Sequence, residues 1–252
     1  MITAMARSSP PFAGFSKKMP SFFRALEKNN TREWFTPRKE LYETEVRQPM
    51  IELVTLVNED LKKFAVDNAL ADPKRAIYRL YRDTRFSKDK TPYKTHIAAT
   101  FARRGLPKHC GAGFYFAISH KSVEVAGGMY MPGPAELAVI RRAVADNAPN
   151  FLKLVNARAL VKKLGVLAGE KLKRPPKGFE DAPAELVEFL KHKQWYFYVT
   201  LDAKLALSPR IRREVVERFA VMSEVMEWWN QVLLDATRGE DDGRVKRPDP
   251  MW

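Results

Sequence analysis

The sequence predicts an α+β fold in which an antiparallel central sheet is flanked by helices from the N-terminal and C-terminal parts of the chain. Three observations predict it. Apolar residues recur at spacings of three and four near both ends, the middle changes to strand-like alternation, and the connections between its apparent strands are short enough for antiparallel pairing.

The elements follow in order. Pro20 to about Asn29 carries Phe22, Phe23 and Leu26 on a helical face, and Asn29-Asn30 stops it. Thr36-Pro37 reads as the cap and first turn of a new helix, and Pro49 as the start or kink of another bearing Met50, Leu53, Val54, Val57, Leu61 and Phe64. Ala76 to Arg82 and Thr95 to Phe101 read as strands, and Gly113 to Ser119 with Ser122 to Gly127 as a hairpin across His120-Lys121. Pro134 opens a helix, and Pro149 opens a second that Gly165 ends. Lys173 to Phe179, with Pro175-Pro176, is a rigid loop. Pro183 to Lys193 is a short helix, Trp195 to Leu201 a strand, and Ser208-Pro209 caps a long helix striped with Val215, Phe219, Met222, Met226, Trp229 and Leu233. No repeat or low-complexity linker divides the 252 residues, so one domain is expected over 12–237, with loosely held tails at 1–11 and 238–252.

Composition excludes several classes. The apolar fraction of 45% and charged fraction of 29% are those of a globular protein. No apolar run reaches the roughly 20 residues of a bilayer-spanning helix. The N-terminal stretch lacks the apolar core of a signal peptide, so cytoplasm is the expected compartment and no membrane partner is expected. A lone Cys110 precludes an internal disulfide, and the four histidines form no zinc-binding spacing, so no metal site is expected. Cys110 beside His109 is a chance neighbour rather than a dyad, because adjacent residues do not orient on one centre unaided.

The formal net charge of +14 is concentrated. Residues 74–108 hold eleven Lys/Arg against Asp83 and Asp89, and residues 141–177 hold ten against Asp146 and Glu170. The second set falls at helical spacing and reads as a solvated surface. The first is denser in chemistry. A strand to Arg82, a loop and a returning strand would gather Arg82, Arg85, Lys88, Lys90 and Lys94 around one connection, with Asp83 and Asp89 as partial counter-charges. Such a cluster is costly unless negative charge compensates it, and a bound anion would do so, arginine offering a two-pronged contact and lysine a point charge. The expected ligand-binding set is therefore Arg82, Asp83, Arg85, Lys88, Lys90, Tyr93, Lys94 and His96.

The string Arg82-Asp83-Thr84-Arg85-Phe86-Ser87-Lys88-Asp89-Lys90-Thr91-Pro92-Tyr93-Lys94-Thr95 resembles the signature of the family catalogued as domain of unknown function 2461. The resemblance extends to Asn29-Asn30 with Glu33-Trp34-Phe35, to Gly127-Gly128 with Tyr130 and Pro132, and to Arg174 to Phe179. It implies membership from about Phe12 to beyond Leu201, and implies no activity.

Competing chemistries lack their context. Ser87-Lys88-Asp89-Lys90 has the S-x-x-K spacing of penicillin-recognising enzymes but loop composition where a helix turn is needed. No phosphate-loop or dinucleotide fingerprint is present. Asp83 between arginines is better suited to orienting cations than to general-base work, and His96 to packing in its strand than to proton transfer. Gly127-Gly128 with the helix start at Pro134 is a second possible anion contact. Three functional readings result: an anionic, phosphorylated or carboxylated small ligand; a nucleic-acid-binding module with Tyr78 or Tyr93 stacking on bases; and a structural salt-bridge network. No catalytic residue, cofactor or oligomeric state is assigned.

Overall fold

The computed structural model describes residues 12–107 and 110–241. His109, the tail expected at 1–11 and the part of the tail expected at 238–252 that follows Asp241 lie outside them. A four-stranded antiparallel sheet, in the order β1-β2-β3-β4, is formed by His96–Phe101, Gly113–Ser119, Ser122–Met129 and Trp195–Asp202. The helices come from both terminal parts of the chain, as the expected fold class requires.

The chain gathers into two compact units, the first containing 12–101, 114–126 and 199–220, and the second 102–113, 127–198 and 221–241. In the first, helix α1 (Lys18–Lys28) buries Met19, Phe22, Phe23 and Leu26. Asn29 closes it by bonding back to Ala25 and Leu26. The next helix begins earlier than expected. Thr31 accepts the Trp34 N–H and caps α2 (Arg32–Phe35), while Thr36–Arg38 is only a tight turn leading into α3 (Lys39–Tyr42). Helical backbone then continues through a wide π turn, Glu43–Arg47, into α4 (Gln48–Leu61). Pro49 lacks the N–H that an α-helix would direct at the residue 45 carbonyl, and the wider turn just before it absorbs that mismatch without breaking the helix. Asp60 on α4 is buried and paired with Lys63 at 2.7 Å and Arg212 at 2.8 Å.

The strand expected over Ala76 to Arg82 is absent. Asp72 caps a tight turn, Pro73–Ala76, and the chain beyond it makes only single antiparallel bridges, Ile77 to Ala99 and Tyr81 to Tyr93. A continuous β1–β2 ladder instead pairs His96 with Ser119 through to Phe101 with Phe114. At the hairpin, the Ser119 hydroxyl accepts the N–H groups of Lys121 and Ser122, both at 3.0 Å.

In the second unit β3 runs two residues past its expected end. Gly128 has φ +142°, and a Cβ there would stand 2.1 Å from the Trp195 carbonyl oxygen. The close approach that Gly128 permits is thus taken up by the backbone of Trp195 and Tyr196. Helix α5 (Pro134–Asp146) is followed by α6 (Ala148–Val155) and α7 (Arg158–Leu164), where one helix was expected. The extended Ala157 separates them, so that Phe151 and Val155 on one piece and Leu160 and Leu164 on the other are all buried. Helix α8 (Ala184–Leu190) precedes β4, and α9 (Arg210–Asp241) follows it, so Arg238 belongs to the helix rather than to a tail.

Around Phe151 pack Phe189, Trp195 and Trp228, with ring centroids 5.2–5.8 Å away. His192 lies against the same cluster, is 2% exposed, and has no hydrogen-bond partner for either ring nitrogen among the described residues. Burial pushes its pKa down from 6.5 to about 4. Its neutral form is favoured on folding, so this contribution is fully present above pH 6.5 and is lost as the pH falls toward 4. We expect urea unfolding followed across that window to lose up to about 3 kcal/mol of stability that a folded His192→Phe variant does not lose.

Candidate functional site

The site expected from sequence lies in the first unit. Its frame is the Tyr81–Tyr93 bridge, flanked by bonds from Arg82 N–H to the Pro92 carbonyl and from Lys94 N–H to the Leu80 carbonyl, each 2.9 Å. Asn30 holds the returning side: its amide donates to the Tyr93 carbonyl at 2.9 Å and accepts the Tyr93 N–H at 3.0 Å. The turning segment is therefore a narrow ribbon pinned to the end of α1, in place of two full strands.

The predicted residues then divide. Arg82 donates to Asp89 and to the Thr91 hydroxyl, and Asp89 accepts the Thr91 N–H at 2.9 Å. Arg85 grips Asp83 with two bonds, 3.0 and 2.8 Å, while its own N–H also reaches that carboxylate. Lys90 donates to the Thr84 carbonyl at 2.8 Å. Arg85 beside Asp83, and Arg82 beside Asp89, hold each carboxyl down at about 2, so both are ionised at any physiological pH. A carboxylate so stabilised is a poor proton acceptor, which removes Asp83 as a general base. Tyr93 is 3% exposed, its ring 4.4 Å from Phe35 and 5.2 Å from Tyr81. It is a core residue without a face to offer a ligand.

Lys94 differs from the loop cations. It is half-buried, with its ammonium 4.9 Å from the centre of the Tyr78 ring. Burial lowers its pKa, and neighbouring Arg79 lowers it further. Among the described residues Lys94 forms no ion pair with a carboxylate, exposed Arg79 acts on the Asp83 carboxylate only through its field, and Lys88 is unpaired on the exposed loop. His96 starts β1, where burial and then Lys94 depress its pKa, so its ring is neutral near pH 7.

Beside Lys94 a pocket of about 180 Å³ opens, lined by Thr95, His96, Ser119, Ser122, Glu124 and Glu27 with the hairpin residues His120 and Lys121. Of these, sequence reasoning singled out only His96. The β1–β2 register, which sets His96 opposite Ser119, brings the others to it. Arg79 was also outside the expected set, as was Phe86, 96% exposed at the loop and with the Arg85 guanidinium 5.8 Å from its ring. No group of three or more His, Cys, Asp or Glu among the described residues is placed to hold a metal ion. No helix among them is long and apolar enough to cross a membrane.

Fold and site together define a mixed helix and sheet protein with a pinned cationic ribbon at the start of its first strand. Residues 18–228 match the model of the family described as conserved hypothetical protein (DUF2461), and the chain belongs to that family. No curated protein and no solved structure matches it.

Because the Asn30 clamp supplies two hydrogen bonds to a part-buried backbone unit, Asn30→Ala should cost about 2 kcal/mol in denaturant unfolding. Asn30→Asp should recover less than half, since a carboxylate accepts the N–H but cannot donate to the carbonyl.

Proposed function

We propose that the chain binds a small phosphorylated or carboxylated anion, in the cytoplasm, at the surface formed by Arg79, Lys94 and His96. The observation that carries this reading is the uncompensated charge. Arg82, Arg85 and Lys90 are satisfied within the motif, whereas Lys94 is half-buried beside a second cation and has no carboxylate partner among the described residues. A half-buried ammonium close enough to an exposed guanidinium to feel its charge is costly, and an anion at that position lowers the cost. The loop network favours a structural role for the remaining cations: Arg82 with Asp89 and Thr91 closes the segment that positions Lys94. Burial of Tyr93 argues against base stacking on that ring.

The test is a thermal-shift titration with inorganic phosphate and with citrate. At about a hundredfold excess over Kd, a bound anion should raise the melting temperature of the wild type by about 5 °C or more. Lys94→Ala should melt close to the wild type and lose the shift. Arg82→Ala should melt lower and retain it. A shift that survives Lys94→Ala, or no shift in the wild type with either anion, defeats the reading.

A further inference from the structure

We infer that the anion held at Arg79 and Lys94 is polyhydroxylated, a sugar phosphate or sugar acid whose hydroxyl-bearing body enters the pocket lined by Thr95, His96, Ser119, Ser122 and Glu124. This rests on the anion reading above and adds the ligand's class. The pocket adjoins Lys94 along the chain: Thr95 and His96 line it and directly follow Lys94, whose charge acts on the His96 ring.

Size and chemistry narrow the occupant. At about 180 Å³ the pocket is smaller than the roughly 300 Å³ at which sites for drug-sized molecules begin, which suits a single sugar and not a nucleoside. Ligand pockets are ordinarily apolar with a few polar groups, whereas here Ala117 is the lone apolar side chain of the lining. A base or an acyl chain would find no apolar wall, and a polyol needs none.

The polar groups are mixed in a way that hydroxyls can use. Glu124 receives the Ser122 hydroxyl on one oxygen at 3.3 Å, leaving its other oxygen without a partner among the described residues. The neutral His96 ring offers one donor and one acceptor, and no described residue takes up either. Glu27 is fixed from the far side by Lys121 at 2.5 Å and by the His120 ring at 3.3 Å. With Glu27 paired to Lys121, the Glu124 carboxylate is the unpaired charge of the lining, which disfavours an anionic group there and suits O–H donors. That polarity orients the ligand: its phosphate or carboxylate stays at Lys94 and Arg79 while its hydroxyls point inward.

Calorimetric titration of the full chain with inorganic phosphate, acetate, a free hexose, a hexose phosphate and a hexonate tests this. We expect the hexose phosphate or the hexonate to bind at least about tenfold more tightly than inorganic phosphate or acetate respectively, from two or more added hydrogen bonds. Which of the two pairs shows the gain identifies the anionic group. Glu124→Gln should shrink that ratio to within about threefold, and Thr95→Val provides the same readout if Glu124→Gln does not fold. Equal affinity for a polyol anion and its simple counterpart, or a ratio untouched by both variants, overturns the polyol inference and leaves the anion reading standing. Failure of every anion to bind removes both.

Discussion

Among the described residues three asparagine side chains each grasp both the N–H and the C=O of one backbone residue, and the segments that lead into the sheet depend on them. Asn30 does so to Tyr93, Asn58 to Leu70 at 2.7 and 3.0 Å, and Asn230 to Ala112 at 2.7 and 3.1 Å. Each amide supplies the donor and acceptor that a neighbouring strand would have supplied, at a place where the chain is leaving regular structure. Asn58 and Asn230 are themselves buried, and at Ala112, which is fully buried, the groups held have no water to turn to. The clamp is economical of chain. One side chain satisfies a peptide unit that otherwise requires a further strand.

The candidate site shows what such a clamp positions. Tyr93 is held by Asn30, bridged to Tyr81 and wedged against Phe35, which fixes the backbone that carries Lys94. From the other side, the Lys94 N–H is bonded to the Leu80 carbonyl. The ammonium thus projects from a backbone constrained in two directions. Less conformational freedom remains to be lost when a ligand arrives. Lys88 and Phe86, further along the loop, have no equivalent restraint, and Phe86 is almost fully exposed.

Much of the fold was legible because its signals are local. The apolar spacing of α1, α4 and α9, the Ser208-Pro209 start, and the two-residue connection at His120-Lys121 are short-range patterns, and each produced an element close to its expected place. The failures lie where local pattern is ambiguous. Ala76 to Arg82 alternates well enough for Leu80 to be buried and Tyr81 to be 51% exposed, yet its backbone partners at only two points. Alternation reports which face a side chain seeks, not whether a ladder continues. At Asn156-Ala157 nothing in composition forbids a helix, and the break serves burial of residues on both sides. The site was half legible for the same reason. Asp83 and Asp89 as internal counter-charges follow from proximity in sequence, whereas Asn30 lies 63 residues from its partner and Glu27 94 residues from Lys121.

The pairing within the loop also bears on which cations can serve a ligand. Both carboxylates are held near a pKa of 2 by arginines, so across the physiological range the pairs are intact and their stabilisation is present, being lost only as the pH falls toward 2. An anion competing for Arg82 or Arg85 would have to displace a bonded carboxylate, and the gain from one charge-assisted contact would be set against the loss of another of the same kind. At Lys94 no carboxylate has to be displaced. Burial and the field of Arg79 both disfavour the charged form of Lys94, and a negative charge placed there would oppose both. The acidic residues are thus as informative as the basic ones: Asp89 and Asp83 occupy Arg82 and Arg85, and Lys94 is left without such a carboxylate partner.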